Sequence, residues 1–375
     1  MIPFNKPYLH GDELRYISQA VTGGRISGDG IFTKKCHQFF EEKYKFKKVL
    51  LTTSCTDALE MAAILLDIKI GDEVISPSYT FVSTVNAFSL RGAKLVFADC
   101  YNDNPNVDPA AIRALITPQT KAIVIVHYAG VACDMDEIIA LGKEFNIPVV
   151  EDAAQAIDSY YKGKPLGSLG AFGTFSFHET KNIISGEGGM LVINDEKYIK
   201  RAEIIREKGT NRSSFFRGEV NKYGWVDIGS SFLPSDIIAA YLFAQLENLD
   251  DIQNKRKELW QHYHKKLTTL ETKGHIRLPV IPEYATNNAH MFYILCENIA
   301  VRTNLIQYLK DNGIYSVFHY LSLNKSEYYL SDNENVELEN SDKFTETLLR
   351  LPMFYELTVE QVDYICSKIN DFFTK

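Results

Sequence analysis

The sequence predicts an α/β fold: a mostly parallel sheet covered by helices in a large domain over residues 1–250, with a smaller α+β domain over 251–375. Three observations predict it. Between residues 48 and 200, short continuous apolar runs alternate with helix-forming text, the pattern of a parallel sheet buried on both faces. Beyond about residue 250 the rhythm changes to a long charged helix, short strands and an acidic loop. A length of 375 residues suits two domains and supplies an ample core.

In chain order, KVLLTTS (48–54) reads as the first strand, short and rich in β-branched residues. TDALEMAAILLDI (56–68) is helix-forming and apolar on nearly all sides, which predicts a buried helix. EVISPS (73–78), KLVFAD (94–99), KAIVIVHY (121–128) and PVVED (148–152) are further strands, separated by helices near 82–91, 110–116 and 134–146. Asp134 with Glu137 three residues on predicts a capping box for the last of these. Strands follow at 173–178 and 190–193. After the charged helix at 253–267 come strands near 276–279 and 290–296, a helix near 302–312 and an acidic polar loop at 330–342. A final helix starts at Thr358 with Gln361 as box partner, and Val362, Ile365, Ile369 and Phe372 form its buried stripe. No internal repeat or low-complexity tract interrupts this order.

Composition narrows the function. Forty Lys+Arg against 48 Asp+Glu give a net charge of −8, the wrong sign for a nucleic-acid binder. No apolar run approaches the ~18 residues of a membrane helix, and the opening MIPFNKPYLHGDE lacks the basic-then-apolar pattern of a signal peptide. A cytoplasmic protein is expected. The six cysteines form no CxxC pair, so they read as reduced, buried thiols and no metal site is expected.

Ligands of such sheets bind beyond the carboxyl ends of the strands. GxGxxG, the P-loop pattern and G-x-S-x-G are all absent, which removes the usual dinucleotide, nucleoside-triphosphate and hydrolase readings. What the strand ends do carry is a set of small polar residues and one lysine. Lys181 lies between a strand and a glycine-rich stretch in GTFSFHETKNIISGEGG, where a lysine of lowered pKa can form a Schiff base with a carbonyl. Pyridoxal phosphate needs such a lysine, an acid at its pyridine nitrogen, a phosphate cradle and a flat group over its ring. Asp152, ending PVVED, supplies the acid. Ser54, Cys55 and Thr56 stand at a strand-to-helix junction, whose N–H groups and dipole suit a phosphate. Ser176 offers a second hydroxyl, Phe81 a ring face, and Gln155 a contact to the ring hydroxyl. Taken singly, Asp152 is a strand-end acid, Thr56 an N-cap, Phe81 one of 22 phenylalanines, and His178 as much a hydrogen-bonder as a catalyst. Their common order at strand ends carries the argument.

In that order the segments TTSCTDAL, GDEVISPSYTFVSTVNA, VVEDAAQA and FSFHETKNIISGEGG resemble the sugar-nucleotide aminotransferases of the DegT/DnrJ/EryC1/StrS family. The likeness extends from IPFNKP to LLRLPMFYELTVEQVDYI. It implies fold type I, pyridoxal 5′-phosphate as cofactor, Lys181 as the Schiff-base lysine and Asp152 with Gln155 at the ring. It further implies Phe81 as the stacking aromatic, and Ser176, Cys55 and Thr56 as phosphate binders, Cys55 through its backbone. It implies L-glutamate and a nucleotide-linked keto sugar as substrates, and a homodimer with shared active sites. HYAGVACDMD, IREKGTNRSSFFRG and DIGSSFLPSD look most like the members that aminate C4 of a dTDP-linked sugar. Two departures stand out. Leu233 occupies a position where many relatives carry an asparagine that reaches the partner's phosphate. HYLSLNKS keeps His319 and Tyr320 but has Ser322 and Asn324 in place of the proline and histidine of a PLH motif. His319, Tyr320, His178 and Arg212 are the substrate-side candidates. Arg212, like Arg217 and Lys222, has a solvated loop as its plainer reading. Two rival readings are a dehydrating branch, which carries histidine in place of the lysine, and a non-catalytic sugar sensor. Lys181 and Asp152 are both present and no DNA-binding segment is appended, so neither rival is favoured.

Overall fold

The computed structural model describes residues 1–374. Its strands are β1 (Lys48–Thr52), β2 (Glu73–Pro77), β3 (Lys94–Ala98), β4 (Thr120–Val126), β5 (Val149–Asp152), a hairpin β6 (Tyr160–Tyr161) and β7 (Lys164–Pro165), then β8 (Phe172–Ser176) and β9 (Gly189–Ile193). All but the hairpin form one sheet in the order β1-β9-β8-β5-β4-β2-β3. Only β9 runs against its neighbours. Strand alternation divides the apolar side chains between the faces. Leu50, Val74, Ala122, Val124, Val150 and Leu191 pack with the helix Cys55–Leu65. Leu51, Ile75, Ile123, Ile125, Val149 and Met190 pack on the other face, against the helices Ile31–Tyr44, Met135–Glu144 and Asp236–Glu247. Both faces are buried, which is why the strands read as continuous apolar runs.

The helix Asp236–Glu247 was not expected from the sequence. Ser235 caps it, accepting from the Ile238 N–H. Buried Asp236 accepts from the Phe32 and Thr33 N–H groups and from the Thr33 hydroxyl, tying this helix to the start of Ile31–Tyr44.

After the long helix Leu249–Thr272 come β10 (Phe292–Leu295), β11 (Val317–Phe318) and β12 (Leu348–Leu351), an antiparallel sheet in the order β10-β12-β11. Phe292, Ile294, Leu349 and Leu351 point into a second core with Leu259, Tyr263, Leu305 and Ile365. Tyr293, Leu295 and Leu348 point the other way, toward Tyr79 and Tyr128. The expected strand near 276–279 does not form. Arg277 makes a single bridge to Leu295, and Pro279 and Pro282, which have no N–H, follow at once. The helix Glu339–Thr347 begins inside the expected acidic loop.

The capping box at the last helix, Val359–Thr374, is complete: Thr358 N–H donates to Gln361 Oε1 and Gln361 N–H to Thr358 Oγ1. Val362, Ile365 and Ile369 are buried and Phe372 half-buried. At Met135–Glu144 one half is made, Asp134 accepting from the Glu137 N–H. The six cysteines are free and buried. Among the described residues no helix is long and apolar enough to cross a membrane and no cluster of metal-ligating side chains forms.

The first residues cross between the two cores. Ile2 bridges to Ile314, the Phe4 carbonyl accepts from the Met353 N–H, and Asn5 Nδ2 donates to the Glu179 carbonyl, two residues before Lys181.

Candidate active site

At the carboxyl ends of β5, β8, β1 and β2 lies a cavity of about 540 Å³. Of the sequence-derived site residues, Ser54, Cys55, Thr56, Phe81, Asp152, Gln155, Ser176, His178, Lys181, His319 and Tyr320 all line it. Arg212 does not. It starts a short exposed helix, Arg212–Phe216, where its guanidinium lies 5.2 Å from the Phe216 ring centre.

Asp152 ends β5 and is buried. Its Oδ2 accepts from the Thr84 hydroxyl at 2.7 Å and its Oδ1 from the Ala154 N–H at 3.1 Å. Burial raises its pKa above the usual 3.8, and these two donors and the Lys181 charge oppose the rise. Next to it on the strand, Glu151 points to the opposite face. Its two oxygens accept from the N–H groups of Gly167, Leu169 and Gly170 and pair with His127 Nε2 at 3.0 Å. His127 Nδ1 accepts from the Cys133 N–H, which sets the tautomer with the proton on Nε2. Asp152 is thus fixed at the end of a strand locked from behind.

The helix Cys55–Leu65 opens toward the same cavity. Ser54 is its N-cap, with its hydroxyl accepting from the Asp57 N–H. The N–H groups of Cys55 and Thr56, in the first turn, have no acceptor within the helix. They and the dipole form an anion cradle. Gly189 makes the close approach possible: a Cβ there would meet the Ser54 carbonyl and Cys55 nitrogen at 2.2–2.4 Å. The Thr56 hydroxyl donates to Ser83 Oγ, drawing a second hydroxyl to the cradle. The Cys55 thiol is pushed up by burial and stays protonated, as a neutral neighbour of the anion would. Asp57 is pushed up to about 6 by burial, with the Glu60 charge adding.

Lys181 follows β8 in a turn held by its own N–H to the His178 carbonyl. Burial lowers its ammonium below the usual 10.5; the Asp152 charge opposes this and the Arg350 charge adds to it. His178 shares its Nδ1 with the Thr180 hydroxyl. On the far side, Gln155 accepts from the Ala129 N–H and donates to the Tyr320 hydroxyl. Tyr128 OH and His319 Nδ1 are 2.9 Å apart, and burial lowers His319 well below the usual 6.5, with the Arg350 and Lys181 charges adding. Phe81 stands 55% exposed at the mouth, its ring open on the cavity side.

This donor set fits pyridoxal phosphate. An amine of lowered pKa, a buried carboxylate with lone pairs to spare, a cradle of free N–H groups and an uncovered aromatic face share one cavity of sufficient size. The sequence reading missed Thr84, which bonds Asp152 from the helix Ser83–Ser89, and the His127–Glu151 pair. Thr84 stands one helical turn beyond Thr80 in SYTFVST, a spacing that faces both hydroxyls the same way. Leu233 lies against Gly28, where any Cβ would collide with it. It is spent on packing inside its own chain.

Comparison with solved structures gives the same fold along the full length. TlmJ, an aminotransferase of Streptoalloteichus hindustanus, superposes with a TM-score of 0.92 at 28% identity, covering 100% of this chain and 99% of its own. Spr1654 of Streptococcus pneumoniae, assigned as a sugar aminotransferase and solved in a PMP form, gives 0.92 at 26% identity over 99% of each chain. DesV of S. venezuelae, solved with a ketimine intermediate, gives 0.91 at 27% identity over 100% of this chain and 99% of its own. Residues 7–370 match a single family along nearly the whole chain, and this protein belongs to it: the DegT/DnrJ/EryC1/StrS aminotransferases.

Proposed function

We propose that this chain is a cytoplasmic, pyridoxal-phosphate-dependent sugar-nucleotide aminotransferase. It transfers the amino group of L-glutamate to C4 of dTDP-4-keto-6-deoxy-D-glucose, giving dTDP-4-amino-4,6-dideoxy-D-galactose for surface-polysaccharide synthesis. The observation that carries the aminotransferase reading is the convergence of Lys181, Asp152 and the Ser54–Thr56 helix start on one cavity. The choice of sugar rests on the HYAGVACDMD, IREKGTNRSSFFRG and DIGSSFLPSD segments.

Bound pyridoxal phosphate supplies an electron sink for the carbanion formed when the donor loses its Cα proton. The residues of this chain do the rest. The N–H groups of Cys55 and Thr56, with the hydroxyls of Thr56 and Ser176, hold the phosphate. Asp152, fixed by Thr84 and Ala154, keeps a proton on the ring nitrogen. Gln155 holds the ring hydroxyl and Phe81 covers the ring face. Lys181 Nζ would anchor the group and, when free, would take the proton from the donor Cα as a general base and deliver it to the cofactor C4′ carbon as an acid. The enzyme works as a homodimer with shared sites. The exposed aromatic residues Phe216, Tyr223 and Trp225 support this, because a monomer rarely shows such a patch to water.

The test uses the visible band of the loaded protein. L-glutamate is expected to bleach it, and dTDP-4-keto-6-deoxyglucose, added after glutamate is removed, to restore it. Bleaching without restoration would move the acceptor to another keto sugar nucleotide, C3-keto or UDP- or GDP-linked. A protein with no visible band after cofactor is supplied would overturn the reading.

A further inference from the structure

The connection 177–188 between β8 and β9 carries Lys181. Backbone bonds close its base, from the Glu179 N–H to the Gly186 carbonyl and from the Ser185 N–H to the Phe177 carbonyl. The residue after the lysine is held by side chains instead. Asn182 is buried and its whole amide is used. Its Nδ2 donates to Gln253 Oε1 at 2.8 Å and to the Asn288 carbonyl at 2.9 Å, and its Oδ1 lies 2.9 Å from His290 Nδ1. A carbonyl can only accept, so the amide's orientation is fixed and Oδ1 is the acceptor for His290. The proton of His290 therefore sits on Nδ1. Burial holds that ring neutral by pushing its pKa well below the usual 6.5, with the charges of Lys181, Arg350, Arg256 and His319 adding.

Asn288 joins this group to the other side of the cavity. It is fully buried. Its Nδ2 donates to the carbonyls of Gln155 and Ile157, both at 2.8 Å, and its Oδ1 accepts from the His290 N–H at 3.0 Å. So the residue that follows Lys181 and the main chain of Gln155 hang on one asparagine. The backbone is bent to allow it. Ala289, between Asn288 and His290, is buried at φ +53°, a costly left-handed conformation for a residue with a side chain. Gly130, at φ +77°, leaves the room: a Cβ there would meet Asn288 Oδ1 at 2.1 Å and the Gln155 carbonyl oxygen at 2.6 Å. A buried polar network with each donor matched to an acceptor admits one arrangement, which suits it to fixing a distance.

Resting on the assignment of Lys181 and Gln155 to the cofactor above, we propose that Asn182, His290 and Asn288 are positioning residues that set the offset between the two and so the aim of the Lys181 amine. The test uses the one difference between the two forms of the cofactor that concerns this amine. Pyridoxal phosphate condenses with Lys181 Nζ through its aldehyde and loses water. Pyridoxamine phosphate has no aldehyde and draws only on the cradle, Asp152 and Gln155. Binding of each to the cofactor-free protein is measured by equilibrium dialysis. Asn182→Leu removes the whole amide at similar size. His290→Phe removes the Nδ1 donor, and His290→Asn restores a donor at that place.

Asn182→Leu and His290→Phe are each expected to weaken pyridoxal phosphate by about 10-fold and to leave pyridoxamine phosphate within about twofold, with His290→Asn close to wild type. Equal weakening of both forms would overturn the proposal, because the network would then hold only the fold. So would unchanged binding of both, or a His290→Asn protein as impaired as His290→Phe. Should Asn182→Leu not fold, the two His290 variants decide alone. If the variants lose pyridoxal phosphate selectively but wild-type protein is not bleached by glutamate, the positioning network stands and the aminotransferase reading falls.

Discussion

The floor of the cavity and the segment 211–231 are built on opposite terms. On the floor the acids that end β5 and the histidine behind them are answered inside the chain. Asp152 has two donors, Glu151 three backbone N–H groups and a histidine, and His127 a donor on one nitrogen and an acceptor on the other. In 211–231 the large apolar side chains face outward: Trp225 is 84% exposed and Phe216 68%. The first region is finished by folding. The second is finished by something else, which the proposed function takes to be a second copy. Rigid preorganisation belongs where charge develops during the reaction, and an unfinished surface belongs where the assembly closes.

The largest break in that comparison is at the lysine. Lys181→Ala should abolish turnover, a loss of about 10⁴-fold or more, with the fold kept. Normal turnover by steady-state assay would sink the mechanism. Asp152→Asn removes the charge but keeps the shape, and should lower kcat/KM by about 10³-fold with a circular dichroism spectrum like wild type. Glu151→Gln acts behind the site. It leaves buried N–H groups aimed at a weaker acceptor, and should cost on the order of 3 kcal/mol in chemical denaturation and lower activity only as Asp152 loosens. A protein as stable as wild type would show that the locked strand is incidental.

On the open side, Phe216→Ser with Trp225→Ser should leave monomer stability within about 0.5 kcal/mol while weakening self-association, read by sedimentation. Unchanged association would remove 211–231 from the interface.

The smallest effect lies in the first turn of the helix Cys55–Leu65, beside the anion cradle. Asp57 has a folded pKa of about 6, above its usual 3.8. Folding therefore favours its protonated form. That stabilisation is whole below pH 3.8 and is lost as pH rises through 6. Asp57→Asn should flatten this slope and gain about 1 kcal/mol at pH 7, after discounting for partial exposure. It should also tighten cofactor binding a few-fold, because a negative charge leaves the anion cradle. Cofactor release against pH is the measurement.

Much of this was legible in the sequence because strand ends are local. The runs at 48–54, 73–78, 94–99, 121–128 and 148–152 became β1 to β5, and the polar residues that follow β1, β2 and β5 met in one cavity. What was not legible depends on distant packing. LLRLP reads as an apolar run with one stray charge. Only the pairing of β12 with β10 and β11 shows that Arg350 alternates out of the second core. Thr84 gains its meaning from Asp152, 68 residues away. The helix Asp236–Glu247 is hidden for another reason: its first turn is pinned by a buried acid whose partners lie 203 and 204 residues earlier. The expected strand at 276–279 failed on a local signal, two prolines given too little weight.

The opening residues have a practical consequence. Ile2 bridges to Ile314, Phe4 lies under Arg350 and takes a bond from Met353, and Asn5 bonds the carbonyl of Glu179. A few residues thus gear the second core to the turn that aims the lysine. An engineer choosing where to fuse a reporter or fix the protein to a surface should leave this thread untouched, because a bulky neighbour there would detune the lysine from a distance.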